Sequence, residues 1–260
     1  MIEDLAKSVI SAYNPSMGPV NLESIAVQEG IQLAPGDYGE SFCGRIEFIK
    51  SYKKFFLYYP APSTNRLLPR TRFSIAHELG HYFIESHRKM LISGEFHNSE
   101  SGFICEKEKE READYFASIL LIPTPVIKRN LNNEGFLTLR RILQLAREYE
   151  TSATCAAIRY TTYSSEPCAV VLSKESKVLC YVPSADAKVL GFEWMGKKTI
   201  PSGSSIEDAI STIGSDEIHK LETSSENWFS PRTRKMKIWE ESFPLGYTNL
   251  VLTFLAFEEF

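Results

Sequence analysis

The chain lacks the features that mark membrane-spanning, secreted and disulfide-stabilised proteins. Its 260 residues contain no apolar run of 18 residues, the length that a membrane-spanning helix needs. The first seven residues include Glu3 and Asp4, whereas a secretory signal peptide begins with basic residues. The five cysteines are an odd number without a C-x-x-C pair, which disfavours a disulfide framework or a structural zinc cluster. We therefore expect a cytoplasmic protein with free thiols and no membrane partner.

A strong charge of one sign is also lacking. The 29 basic and 33 acidic residues give a net charge of −4, so no overall field draws the chain onto nucleic acid. Hydrophobic residues make up 43% of the chain and charged residues 24%, as in ordinary globular proteins. A chain of this length can form two modest cores.

The most informative motif is the H-E-x-x-H pattern His77-Glu78-Leu79-Gly80-His81, set in an apolar segment that predicts a helix over residues 73–84. Residues four apart on a helix lie on one face, about 6 Å apart, so His77 and His81 can bind one zinc ion. Without a metal, two imidazoles in this apolar segment would be costly to bury. Glu78 can act as a general base toward a water, so the motif predicts metal-assisted peptide hydrolysis.

A catalytic zinc site needs a third protein ligand, and two further histidines are poor candidates for it. His87 lies ten residues after His77, the spacing of the metzincin pattern, but Ile84 stands where that pattern has glycine. A β-branched residue does not favour the turn that would bring His87 back to the metal. His97 lies in a polar stretch and is better explained as a loop residue.

The better candidates for the third ligand are carboxylates in residues 106–123. Glu112 stands four residues before Phe116, at the edge of a buried stripe, where a carboxylate is better explained by a cation than by solvent. Glu108, one turn earlier, is a reserve candidate. The stripe consists of Ala113, Phe116, Ala117 and Leu120. The residues predicted to form a solvated face are Glu106, Lys107, Lys109, Glu110 and Arg111.

Two motifs in this order resemble a known family. H-E-L-G-H at residues 77–81 is followed by E-A-x-x-F-A-x-x-L-L-x-P at residues 112–123, which is similar to the ImmA/IrrE (DUF955) family of zinc metallopeptidases. Weaker similarity at residues 151–160 extends the resemblance over roughly residues 1–165. Ile122 departs from the methionine that the family often has, a conservative apolar exchange.

This resemblance implies a gluzincin-type site with Zn²⁺ as its cofactor. His77, His81 and Glu112 would be the ligands, and Glu78 the base. It also implies regulatory proteolysis of a helix-turn-helix repressor, so that cleavage switches on stress, mobile-element or antiphage genes.

Cys105 lies seven residues, about two helical turns, before Glu112. It is either a small buried hydrophobic residue or a fourth zinc ligand. A thiolate in the position of the water would hold the enzyme inactive until it leaves.

The predicted fold class is α+β. We expect a mainly helical, gluzincin-like metallopeptidase domain with a small sheet over residues 1–165. A β-hairpin at residues 44–59 is either core sheet or the edge on which an extended substrate pairs. The polar stretch 161–167 is the predicted linker to a smaller antiparallel-sheet domain at residues 166–260. This second domain is similar in outline to the GAF-like sensory domains of some family members.

A basic cluster in the second half contains Arg232, Arg234, Lys235 and Lys237, and it is flanked by Trp228, Phe229 and Trp239. Cations and aromatic rings together can hold single-stranded nucleic acid. The same alternation equally suits a solvent-facing strand.

Three functions fit these observations. The first is a zinc endopeptidase that cleaves a helix-turn-helix repressor in response to stress, with DNA damage or single-stranded DNA as candidate signals. The alternative is a non-proteolytic, ligand- or DNA-responsive transcription regulator with a structural zinc on a peptidase fold. A purely structural site has no use for Glu78, which favours the peptidase. A small-substrate zinc hydrolase fits the metal chemistry but not the family resemblance.

Overall fold

The chain folds into two compact units. The computed structural model describes residues 1–39, 42–61, 68–94, 108–132, 138–192, 199–229, 234–246 and 249–258. The first unit comprises Met1–Val126 and Arg147–Ser152, and the second comprises Ile127–Ala146 and Ala153–Phe260. No helix among these residues is long and apolar enough to span a membrane.

The first unit is mainly helical and carries one small sheet. Its helices are α1 (Ile2–Tyr13), α2 (Leu22–Gln28), α3 (Leu68–Phe83), α4 (Glu85–Ser93) and α5 (Glu108–Leu121). Its strands are β1 (Gln32–Gly36), β2 (Arg45–Ile49) and β3 (Lys54–Pro60). Two further helices, α6 (Thr124–Asn132) and α7 (Leu139–Glu148), each begin in one unit and end in the other.

The sheet of the first unit confirms the predicted hairpin. Its strand order is β1-β3-β2, with β1 parallel and β2 antiparallel to β3, and Ile46 pairs with Leu57. Alternate residues Phe55, Leu57 and Tyr59 of β3 are buried, as a half-buried strand requires. Strand β2 is therefore an edge of this sheet.

Helices α3 and α5 pack against each other at Gly80. A Cβ at this position would lie 3.2 Å from both the Cα and the carbonyl oxygen of Ala113, and 3.3 Å from Cδ1 of Phe116. The rings of Phe83 and Phe116 stack beside this contact with centroids 5.8 Å apart. The absence of a side chain at Gly80 thus lets α5 approach the face of α3 that carries the two motif histidines.

We expect Gly80→Val to destabilise the first unit by about 1–3 kcal/mol, the usual cost of overpacking, because an isopropyl group cannot fit against the backbone of α5. Chemical denaturation would measure the change. Ser86→Val, at an exposed position of α4, is the matched control for placing a β-branched residue in a helix. Equal stabilities for the two variants would contradict the close contact.

Arg72 of α3 ties residues 147–152 to the first unit. Its Nε donates to the carbonyl oxygen of Glu150 at 3.0 Å, and its Nη2 donates to the carbonyl oxygen of Val20 at 2.8 Å. A buried guanidinium needs hydrogen-bond acceptors such as these carbonyl oxygens. Residues 147–152 therefore pack with α3, although the chain on either side of them belongs to the second unit.

The second unit is built on a five-stranded antiparallel sheet of order β5-β4-β8-β7-β6. Its strands are β4 (Cys168–Lys174), β5 (Lys177–Pro183), β6 (His219–Ser224), β7 (Lys237–Pro244) and β8 (Leu250–Glu258). Its helices are α8 (Ala153–Tyr163), α9 (Ala185–Val189), α10 (Ser205–Ser211) and α11 (Ser225–Trp228). The α+β fold class is thereby confirmed, while the GAF-like resemblance stays a prediction.

The two compact units do not divide at the predicted boundary after residue 165. Helix α8 lies before that boundary in the chain, yet it packs on β4, β5 and β8 of the second unit. A linker-like composition at residues 161–167 therefore marks the end of a helix and the start of β4 rather than the junction between cores.

Two successive glutamates of β7 hold helices to opposite faces of the sheet. Glu240 is buried and accepts hydrogen bonds from the Ser204 hydroxyl at 2.7 Å, the Ser205 amide at 3.0 Å and Trp228 Nε1 at 2.6 Å. Glu241 accepts from the Leu139 amide at 2.5 Å, at the first residue of α7. Because neighbouring side chains of a strand point to opposite faces, one dipeptide anchors helices on both.

We expect Glu240→Gln to destabilise the second unit by about 2–3 kcal/mol, because its amide NH₂ would face donors that now bind a carboxylate. Thermal and denaturant unfolding would measure this. Glu222→Gln on β6 is the control, since its half-exposed ion pair with Lys237 should contribute about 0–1 kcal/mol. If Glu240→Gln lowered the free energy of unfolding no more than the control does, Glu240 would not be an anchor between the sheet and its helices.

Candidate metal centre

Helix α3 brings His77 and His81 together, as the motif predicts. Their Nε2 atoms lie 3.1 Å apart and their ring centroids 4.8 Å apart. Both imidazoles are buried. At this distance the two nitrogens can share a proton, or both can bind one cation between them.

Glu110 of α5 completes a cluster of three buried metal-binding side chains. Its Oε2 lies 3.3 Å from His77 Nε2, and its Oε1 lies 3.7 Å from His81 Nε2. One ligand atom from each of the three residues lies within 4.8 Å of the others. Zinc–ligand bonds of about 2.05 Å arranged tetrahedrally put neighbouring ligand atoms roughly 3.3 Å apart. The 3.1 Å between the two imidazole nitrogens and the 3.3 Å from His77 Nε2 to Glu110 Oε2 are close to this value, so the three side chains could hold one metal ion.

Asp114, one turn after Glu110, orients the first histidine. Its Oδ1 lies 2.8 Å from His77 Nδ1, on the side of the ring away from the cluster. If Nδ1 carries the proton and donates it to this carboxylate, the Nε2 lone pair is left for a metal. Burial lowers the pKa of His77, but hydrogen bonds to Asp114 and Glu110 outweigh it and raise the pKa to about 10. The carboxylates thus attract positive charge to this imidazole, and a metal ion can replace the proton.

Glu112, the predicted third ligand, does not join this cluster. Its Oε2 lies 2.9 Å from Nε2 of His87 on α4. Burial is the main cause that lowers the pKa of His87, which favours a neutral ring that donates to Glu112. Glu110 takes the place assigned to Glu112, so the prediction that Glu110 lies on a solvated face was wrong. The spacing of residues along the helix could have indicated this burial. Glu110 precedes Ala113 by three residues and Ala117 by seven, which places it on the same buried face.

Glu78 is fully buried beside the cluster. A Cβ added to Gly44, just before the edge strand β2, would lie 3.2 Å from both Cγ and Oε1 of Glu78. Gly44 therefore lets the start of β2 pass directly over this carboxylate. A carboxylate next to a metal cluster and below a strand edge is placed to act on an extended chain bound at that edge.

Comparison with known proteins agrees with this geometry. Residues 63–161 match the IrrE N-terminal-like domain family. This part of the chain is therefore similar to the IrrE N-terminal-like domain. The radiation response metalloprotease IrrE of Deinococcus radiodurans is 32% identical to it over 98 residues. That stretch covers 38% of this chain and 29% of the relative, so the chain spans under a third of the relative's length.

The fold extends further than the sequence match. A transcriptional regulator from Mycobacterium tuberculosis has a solved structure that matches 98% of this chain and 75% of its own, with a TM-score of 0.60. The sequences are 11% identical, so this likeness concerns the fold alone.

The remaining predicted site residues of this IrrE-like protein lie elsewhere or are not described. Cys105, His97 and Arg232 fall outside the described residues. Lys235 pairs with Glu226 at 3.0 Å, and Lys237 pairs with Glu222 at 2.9 Å. Arg234 is exposed.

The aromatic residues that flank this basic cluster differ in their exposure. Trp228 and Phe229 are buried in the core of the second unit, whereas Trp239 is 41% exposed. The basic cluster thus offers one accessible aromatic ring among the described residues, and its lysines already neutralise glutamates.

We expect Glu110→Gln to weaken zinc binding by more than about 100-fold, beyond the range typical of residues outside the ligand shell. Glu112→Gln should leave the affinity within about tenfold of wild type, because it removes no ligand. Competition with a chelating dye would measure both constants. If Glu112→Gln weakened zinc binding more than Glu110→Gln does, Glu112 rather than Glu110 would be the ligand.

Proposed function

We propose that this protein is a zinc-dependent endopeptidase of the gluzincin type, with His77, His81 and Glu110 as metal ligands. The single observation that carries this proposal is the convergence of these three buried side chains, with ligand atoms within 4.8 Å of one another, beside the buried Glu78. When bound there, zinc would supply a positive charge that polarises a water and the scissile carbonyl.

The protein's own side chains divide the remaining work. Glu78 is placed to take the proton from the attacking water and later to pass it to the leaving amine. Asp114 holds the His77 ring so that its Nε2 faces the cluster. Burial of Glu78 and His77 strengthens their electrostatic interactions, because little water competes inside the site.

Edge strand β2 is the element that would bind substrate. Its free edge can pair with an extended peptide through main-chain hydrogen bonds, which require no particular side-chain sequence. Gly44 brings the start of this edge within contact distance of Glu78. An extended peptide on β2 would therefore run past the base. The substrate class supported is an unfolded segment or linker of another protein rather than a small molecule.

The proposed biological role is regulatory cleavage of a helix-turn-helix repressor, which relieves repression of stress, mobile-element or antiphage genes. The similarity to a radiation response metalloprotease supports a link to DNA damage. The second unit is the candidate sensor for the activating signal, and single-stranded DNA is the candidate ligand. Cytoplasmic localisation follows from such a partner.

A second candidate function is a transcription regulator in which the metal is structural and no peptide is cut. The likeness of nearly the whole fold to a transcriptional regulator favours this alternative. The presence of Glu78 beside the cluster favours the peptidase.

We expect Glu78→Gln to abolish cleavage of the repressor while zinc affinity stays within a few-fold of wild type, since Glu78 is a base and not a ligand. The zinc-loaded protein would be incubated with candidate helix-turn-helix repressors, with and without single-stranded DNA. Fragments would be resolved by mass spectrometry. Removing zinc with a chelator should stop cleavage as well.

Glu108→Gln is the matched control, because it makes the same change at an exposed residue of α5. It should cleave like wild type. An intact repressor in every tube, despite full zinc occupancy, would favour the non-proteolytic regulator.

A further inference from the structure

A second imidazole–carboxylate pair lies directly beside the proposed metal centre. It consists of His87 on α4 and Glu112 on α5, with Nε2 and Oε2 at 2.9 Å. The His87 ring lies 4.9 Å from the His81 ring, at an interplanar angle of 35°. The pair therefore contacts the ligand set but lies outside the three-residue cluster.

His87 is held firmly and almost completely buried. It is 2% exposed. Among the described residues, its Nδ1 is buried without a hydrogen bond, so the bond from Nε2 to Glu112 is the polar contact that orients the ring. Burying an imidazole with one ring nitrogen unpaired costs free energy. An apolar residue at this position would not carry that cost, so a purely structural role does not explain the histidine.

The position of Glu110 in its helix explains what such a pair could do. Helix α5 begins at Glu108, so Glu110 lies in the first turn, where the amides have no partners within the helix. First turns fray at little free-energy cost. The Glu110 carboxylate therefore needs contacts outside its helix to stay in place.

Contacts from two helices hold this turn. Helix α3 holds it through His77, which contacts both Glu110 and Asp114. Helix α4 holds it through His87 and Glu112, and Lys109 contacts the sulfur of Met90 nearby. Because α4 itself packs on α3 and β2, the pair ties the start of α5 to the framework that carries the histidine ligands.

We propose that His87 and Glu112 are positioning residues that fix the first turn of α5, and thereby hold Glu110 at the metal. The pair does not bind the metal or the substrate. It preorganises the one ligand that comes from a different helix, so it raises metal affinity and sets the coordination geometry. This inference rests on the proposed zinc site.

The test compares His87→Leu, Glu112→Ala and the double variant with wild type. Each single variant should bind zinc about tenfold more weakly, within the range for residues that support ligands. The double variant should be no weaker than either single one, because both substitutions remove the same hydrogen bond. Glu112→Gln should restore most of the affinity, since its amide oxygen still accepts from Nε2.

Two readouts besides activity separate positioning from general stability. The visible absorption of the cobalt-substituted protein should change in band position and intensity for His87→Leu and Glu112→Ala, and return to the wild-type spectrum for Glu112→Gln. Amide exchange of residues 108–112 in the metal-free protein should be faster in the same two variants. Glu108→Gln is the control that should leave both readouts unchanged.

Each outcome decides one question. Wild-type protein that binds no zinc would overturn the proposed function itself. Wild-type affinity and cobalt spectra in all His87 and Glu112 variants would overturn only the positioning role. Additive losses in the double variant, or loss of zinc as complete as in Glu110→Gln, would also overturn it. If His87→Leu does not fold, the comparison of Glu112→Ala with Glu112→Gln still tests the proposal.

Discussion

The close contact between α3 and α5 at Gly80 is the constraint on which the candidate site depends. A helix that carries two histidines can offer two ligands, but a third must come from another element. Gly80 stands between His77 and His81 on the chain and lets the backbone of α5 approach to contact distance. The Glu110 carboxylate can then reach both imidazoles. Even a Cβ here would lie 3.2 Å from the backbone of α5, so a larger side chain would push α5 and its Glu110 away from the histidines.

The site also shows how a protein interior tolerates a concentration of charge. Glu78, Glu110, His77 and His81 are all buried within one small region. Such groups are expensive to bury unless each finds a partner of opposite charge. The imidazoles pair with Asp114 and Glu110, and a divalent cation held by the cluster would balance the remaining negative charge. The local cost of this arrangement is the physical reason for regarding it as functional.

The second unit uses buried carboxylates for a different purpose. Glu240 has four donors around it and Glu241 caps the start of α7, so both have clear structural partners. Neither belongs to a group of three or more potential metal ligands among the described residues. Burial of a carboxylate therefore does not by itself identify a functional site. What distinguishes the first unit is the convergence of several ligand atoms on one point.

Much of this protein could be predicted from local sequence. The 3.6-residue period of a helix determines that His77 and His81 share a face, whatever surrounds them. Turn chemistry determined the hairpin of β2 and β3, and Asn21, a residue type that favours helix starts, caps α2 by accepting from the Ser24 amide at 2.8 Å. These features depend on neighbours a few residues away.

Only the tertiary structure decided which carboxylate joins the histidines. Glu110 and Glu112 are two residues apart, about 200° around the helix, and both have an imidazole partner. Their roles depend on how α5 is rotated against α3 and α4, which the contact at Gly80 sets. The division of the compact units was likewise decided by packing of α8 on the sheet. Sequence determined the two-histidine motif through helical geometry, while long-range packing determined the ligand set.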